Sequence, residues 1–406
     1  MTERKVRALN ETSQLFDDLS KRLDASSRIC DHPAMKGQWI GNYTGTNAGT
    51  IMVNVDEFSS HFQGIAYLTE SNSLLPGTAV VFKTENKNSK SAIQVLGLLP
   101  IDPKTGIASP WEQVKKYYGN NVVFSSAASA TASVENDLLT LTWTTDIGNT
   151  GTCTLPRSKA TQPSELNASS LDWAGFKKYV STLEGRKNVF RGQNQQWRLR
   201  TSFHRNGRAD LARFLNEDIQ VLHKHLSART KHVFNLDIPN ENGAFFNLVQ
   251  HHGYPTPLLD WSYSPYVAAF FAYRGISNEK AARAKPGAKV RIHVFDQLQW
   301  KTDWNQILML LFTGPHLSVG EFLAIENERM IPQQAISTVT NVDDIETYIR
   351  QKEETSKRKY LSAIDLPIAE RKMVIQELSY MGITAGSLFP GLDGACEELK
   401  ERNFEI

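Results

Sequence analysis

Apolar residues recur at every second position from Gly37 to about Pro156, and this period limits the architecture more tightly than anything else in the chain. WIGNYTGT alternates apolar and polar residues, Asn47-Ala48-Gly49 makes a turn, and TIMVNVDE resumes the alternation. The same pattern returns in HFQGIAYLTE, GTAVVFKTE, SAIQVLGLLP, NNVVFSSA, LLTLTWTTD and TGTCTLP, with Gly, Asn, Asp and Pro between the runs. A two-residue period sends successive side chains to opposite faces, so each run reads as a strand with one buried face. Seven or eight such strands in succession predict an antiparallel all-β barrel or sandwich over residues 31–156.

On either side the period lengthens. Val6, Leu9, Leu15, Leu19 and Leu23 suggest an N-terminal helix within residues 1–30. Residues 157–170, RSKATQPSELNASS, are polar, aperiodic and interrupted by Pro163, and read as a linker. A second domain over 171–406 then opens with helical stripes at Leu171, Phe176, Val180 and Leu183, and at Leu211, Phe214, Leu215, Ile219, Leu222 and Leu226. Strands are expected at 188–193, 288–296 and 321–328, and late helices at 343–352 and 367–381. Helices and strands mix without strict βαβ alternation, so this domain is expected to be α+β. The opening WIGNYTGTNAGT is also similar to the first hairpin of avidin-like or lipocalin-like barrels, a resemblance confined to that hairpin.

A net charge of +2 gives no global attraction to nucleic acid or an acidic membrane. Cys30, Cys153 and Cys396 are far apart and odd in number, which fits a reducing compartment better than a disulfide framework. No apolar run reaches about 18 residues. A cytoplasmic protein that does not enter a membrane is expected.

Two stretches carry chemistry. Residues 186–213 hold Arg186, Arg191, Arg198, Arg200, Arg205, Arg208 and Arg213, several of which read as solvated. Arg191 differs, because it ends an apolar strand and precedes Gly192, where a ligand could approach the backbone. A guanidinium there suits a forked anion such as phosphate, so a nucleotide fits; Trp197 and Phe203 would also stack single-stranded nucleic acid. The second stretch is QHHGYPTPLLDWSYSPYVAAFFAY, residues 250–273. Ser264-Pro265 reads as the N-cap and first residue of a helix that is apolar all round and therefore buried. HHGYPTPLLDWS, with Gly253, Pro255 and Pro257, reads as an irregular loop presenting His251, Asp260 and Ser262. Adjacent His251 and His252 lack the companions of a zinc site, and Ser262 lacks the nucleophile elbow of a serine hydrolase. No metal is expected.

Taken together, VFRGQ (189–193), the following W-x-L-x-T-S-x-x-R ending at Arg205, QHHGYPTPLLDWS, ERMIPQQAIST (328–338) and MGITAGSLFPGLDGACEEL resemble the FRG domain family, named for its Phe-Arg-Gly motif. The resemblance spans about 171–400. It implies a fold like that of ADP-ribosyltransferases and NAD as the substrate. Arg191 would clamp the NAD phosphates or ribose, with Gly192, Gln193, His251, Asp260 and Arg205 also in contact. Ser262 would take the central hydroxyl position, and Gln333 or Gln334 the late-strand position. ADP-ribosyltransferases place a Glu or Gln motif there, and a carboxylate serves the ribose best; IPQQ offers amides, so either Glu328 or Glu326 supplies the charge or the domain binds NAD without turning it over. Pro257 stands where an arginine often precedes LLD, leaving Arg191 as the expected partner of Asp260. The resemblance implies a toxin or antiphage effector that transfers ADP-ribose to a protein or nucleic-acid acceptor. The β domain would sense a ligand or a phage protein, or restrain the enzyme by docking over its pocket. The other reading is a non-catalytic module that binds nucleotide, nucleic acid or protein.

Overall fold

A computed structural model describes residues 35–404; the N-terminal helix expected within 1–30, and Cys30, lie outside them. The alternating region is a closed eight-stranded antiparallel barrel: β1 Gly37–Gly45, β2 Gly49–Glu57, β3 Phe62–Glu70, β4 Thr78–Thr84, β5 Lys90–Pro100, β6 Ala128–Glu135, β7 Leu138–Thr145 and β8 Thr150–Pro156. Closure comes where β1 meets β8, with Tyr43 opposite Cys153, and leaves no free sheet edge. Trp39, Val53, Val55, Phe62, Leu139 and Leu155 fill the interior. In β2 the alternation breaks down, because Met52, Asn54 and Asp56 are buried on the outer face as well. The rest of the molecule covers that face.

The second region is built on a seven-stranded sheet in the order β13-β14-β11-β10-β12-β15-β9. Its strands are β9 Ala168–Ser170, β10 Asn188–Gln193, β11 Leu258–Ser262, β12 Lys289–Asp296, β13 Leu317–Gly320, β14 Ala335–Thr340 and β15 Leu361–Pro367. All neighbours are antiparallel except β15 and β9. Helices Trp173–Val180, Pro265–Tyr273 and Arg371–Tyr380 pack on one face around Phe190, Val267 and Val294. The other face buries Val189, Leu259, Trp261 and Phe295 beneath Trp300 and Ile345. No helix among the described residues is long and apolar enough to cross a membrane.

Several local expectations change. Leu258–Ser262, expected as irregular loop, is a central strand; covered on both faces, it carries two leucines in a row and shows no alternation. The strand expected at 321–328 lies earlier, at Leu317–Gly320. Residues 157–170 are not a free linker. Ser158 Oγ donates to Asp343 Oδ2 at 3.0 Å, Ser164 Oγ accepts from Arg291 Nη1 at 2.7 Å, and the segment ends in β9.

The arginines expected to be solvated are largely structural. Arg198, with a side chain 0% exposed, pairs with Glu165, Asp344 and Glu346, and Arg200 pairs with Asp343. Arg208 and Arg213 reach across to the barrel. Asp56, 2% exposed on β2, accepts from Arg208 Nε at 2.6 Å, Arg213 Nη1 at 3.1 Å and the backbone N–H of Ala209 at 2.7 Å. A carboxylate this deep is stable only with such compensation. Gln38 makes a second junction: its Nε2 donates to the Asn341 carbonyl at 2.6 Å and its Oε1 accepts from Asp343 N at 2.8 Å.

Candidate functional site

The site forms where the second sheet opens. Strands β10 and β11 are paired only at Phe190 opposite Ser262. Past that bridge the strands separate, and the carbonyl of Asp260 has no ladder N–H from β10. Arg191 supplies the donor with its side chain: Nη1 lies 2.7 Å from Asp260 O. The expected Arg191–Asp260 partnership therefore runs through the backbone carbonyl, with the carboxylate contributing its field. Gly192 serves packing. A Cβ built there would lie 1.8 Å from Ala268 O and 2.6 Å from Ala272 N, so β10 rests directly on the backbone of helix Pro265–Tyr273. That side of Gly192 is taken by the helix, while the residue also lines the cavity beside it.

A cavity of about 300 Å³ lies beside this junction. Its apolar walls are Phe190, Trp261, Phe271 and Phe389. Its polar lining is Arg191, Gln250, His251, Asp260, Ser262, Arg329 and Gln333. The polar groups are held by one another. Gln250 Nε2 donates to Asp260 Oδ1, while Gln250 Oε1 accepts from Thr256 Oγ1. His251 Nδ1 donates to Asn327 Oδ1 at 2.7 Å. Arg329 Nη1 donates to His251 O at 2.5 Å, and its guanidinium stands 5.4 Å from the Phe389 ring centre.

Ser262 and Gln333 are present in the lining but already engaged. Ser262 Oγ donates to Gln333 O at 2.7 Å and accepts from Ser264 N at 3.0 Å; Gln333 Nε2 donates to Leu388 O at 2.9 Å. These bonds tie β11, the turn before β14 and the segment at Leu388 together. The other residues singled out from the sequence lie elsewhere. Gln334 is exposed in a left-handed turn (φ 47°), its carbonyl accepting from Tyr263 N. Glu328 is exposed and Glu326 accepts from the backbone N–H of His232, so neither lines the cavity. His252 is exposed. Gln193 sits one strand position beyond the lining, its Oε1 buried without a partner. Arg205 is exposed, with Nη1 3.4 Å from Arg200 O, yet close enough for its charge to act on Arg191.

Burial lowers the Arg191 guanidinium to about 10, with Asp260 opposing and Arg205 adding to the shift. It stays a cation at neutral pH, and its Nε is buried with no partner. Opposite Arg191 on β12 stands His293, which burial, aided by Arg291 and Arg191, pushes down to about 3 and holds neutral.

A family model described as FRG domain matches residues 186–281. The chain carries an FRG domain. No curated protein and no solved structure matches it. The matched segment of the FRG domain includes β10, β11 and helix Pro265–Tyr273, and with them Arg191, His251, Asp260 and Ser262. Arg329, Gln333 and Phe389 come from later in the chain and complete the walls. Gln250, Phe271, Arg329 and Phe389 were not singled out from the sequence. Phe271 sits in a run whose periodicity reads as core, and Phe389 is a lone aromatic before Pro390; neither shows in one dimension that it borders a cavity.

Proposed function

We propose that the FRG domain binds a nucleotide in this cavity, with NAD the first candidate. One observation carries the reading: a charged, desolvated Arg191, its Nη1 bonded to a carbonyl and its Nε unpartnered among the described residues, lines a cavity with aromatic walls. A buried cation so placed gains more from a forked anion than a solvated one would, and the phenyl rings offer faces to a planar base. Arg329 adds a second guanidinium to the lining, and Asp260 an acceptor for ribose hydroxyls. At about 300 Å³ the space suits one nucleotide half, with the rest of a dinucleotide reaching outward.

A further reading, in which the pocket also cleaves the nicotinamide–ribose bond and passes ADP-ribose to a protein or nucleic-acid acceptor, is favoured by Asp260. An oxocarbenium-like transition state calls for a nearby carboxylate, and among the described residues Asp260 is the carboxylate that lines the cavity. The resemblance to toxin and antiphage effectors goes with this second reading. Titration calorimetry of the full chain with NAD, ADP-ribose and AMP tests the first. Wild type should bind, and Arg191→Gln should lose at least tenfold in affinity while melting within a few degrees of wild type. Equal affinity in the two proteins would sink the proposal. Release of nicotinamide from NAD, abolished by Asp260→Asn, would establish the second.

A further inference from the structure

The barrel is packed at one end and hollow at the other. Trp39, Val53 and Phe62 fill the end that docks on the FRG domain through Gln38 and Asp56. The opposite end, where β1, β3 and β7 finish, holds a cavity of about 170 Å³. Its walls are mostly aliphatic and aromatic, among them Ile51, Val80, Phe82, Leu141 and Trp143. Around its mouth stand exposed apolar side chains, with Val123 66% and Ile147 43% exposed.

Besides Asn47, Asn149 and several hydroxyl side chains, Tyr43 and Glu70 line this space. Tyr43 is 3% exposed, and its hydroxyl is buried without a hydrogen-bond partner. Glu70, the last residue of β3, brings a carboxylate whose Oε2 is likewise buried and unpartnered. Burial raises the Tyr43 phenol, and the Glu70 carboxylate facing it raises it further; Asn47 stands beside the same carboxylate, and none of these contacts closes to full hydrogen-bond geometry. Unpaired buried polar atoms are uncommon and costly, and a ligand is one way to satisfy them. Among the described residues, Glu70 is the only acidic side chain in the lining, and no lysine, arginine or histidine lines it. Beside it the rings of Tyr43 and Trp143 lie 5.6 Å apart at 59°, making an aromatic corner.

We propose that the barrel cavity is a binding site for a small amine, in which Glu70 and the Tyr43 hydroxyl take the ammonium and the apolar interior takes a body about the size of one ring. The size follows from the volume, since a cavity of roughly 150 Å³ accommodates benzene. The charge follows from the lining: an ammonium is attracted by the carboxylate and by the faces of Tyr43 and Trp143, whereas an anion meets a carboxylate with no cation to offset it. The site is separate from the FRG cavity, and its test does not depend on what that cavity binds.

Benzylamine, benzyl alcohol and benzoate share one apolar body and differ in the head group, so they serve as probes in calorimetry with the full chain. Benzylamine should saturate a single site, benzyl alcohol should bind at least tenfold more weakly, and benzoate should not bind. Glu70→Gln should bring benzylamine down to the level of the alcohol, and Ala130→Leu, which fills the cavity from its wall, should remove both. Arg191→Gln should leave all three unchanged. The proposal fails if benzylamine shows no saturable binding to folded wild type. It fails equally if benzoate matches benzylamine, or if a folded Glu70→Gln binds the amine as wild type does.

Discussion

Replacing the glycine of the Phe-Arg-Gly triplet by alanine would set a methyl carbon 1.8 Å from the Ala268 carbonyl oxygen, a distance no packing tolerates. Strand β10 and helix Pro265–Tyr273 would have to part, and the neighbouring atoms are backbone, which cannot swing aside. Gly192→Ala should therefore cost about 1–3 kcal/mol or more, seen as a lower urea midpoint with an unchanged slope. A wild-type midpoint would mean that the glycine is needed for something other than packing. The pair Arg191–Gly192 was visible in the sequence, and so was the need for a donor near Asp260. What the sequence could not show is which atom of Asp260 that donor meets. That depends on β10 and β11 being paired at a single position, which is a property of the sheet and not of either strand's residues.

Ser262 makes the same point for whole elements. In the sequence it stands as a hydroxyl beside an aspartate, in a segment that reads as loop. In the fold it ends β11, and its Oγ joins the Gln333 carbonyl to the N–H of Ser264 at the start of helix Pro265–Tyr273. Ser262→Ala should then act on stability, by about 1–3 kcal/mol for the two buried groups left without partners. NAD affinity should stay within about threefold of wild type, since the hydroxyl has no proton free for a ligand; a larger loss by calorimetry would restore Ser262 to the ligand's immediate surroundings. Strand β11 was missed because alternation is the signature of a half-buried strand, and a central strand under two covered faces has none. The barrel strands were legible for the opposite reason. One of their faces meets the interior and the other, except on β2 and its neighbours, meets water.

The two halves of the molecule are joined by charge that the sequence displays only as scattered arginines. Arg208 and Arg213 converge on Asp56 from more than 150 residues away, and no local pattern announces that meeting. Removing the carboxylate with Asp56→Ala would leave Arg208 and Arg213 facing a buried junction without their shared partner. A loss of about 3–5 kcal/mol is expected, and calorimetric unfolding should change from one transition toward two as barrel and FRG domain uncouple. A single, unshifted transition would show that Gln38 and the apolar contacts hold the junction alone. None of the cavity lining of the FRG domain comes from the barrel, so docking of the barrel over that pocket, considered from the sequence, does not occur in this arrangement.

Acid should weaken the whole fold through three histidines. His204, His293 and His316 are buried, and desolvation lowers them to about 4, 3 and 4. Each is neutral in the folded chain but takes up a proton near pH 6.5 once unfolded. The unfolded state thus binds more protons below that point, and stability falls as pH drops from about 6.5 toward 4. The slope is about 1.4 kcal/mol per pH unit for each histidine at its steepest. Asp210 works the other way. Burial raises its carboxyl to about 6, so protonating it on the way down recovers part of the loss, one group against three. Urea midpoints at pH 7, 6 and 5 should fall in step. His293→Leu isolates one contribution, because neither ring nitrogen of His293 has a partner in full hydrogen-bond geometry and an apolar side chain forfeits no more than a weak contact with the Arg191 backbone. That variant should hold wild-type stability at pH 7 and lose it more slowly on acidification. Equal slopes for variant and wild type would show that His293 reaches its proton without unfolding, by way of the gap between β10 and β11 that opens the FRG cavity.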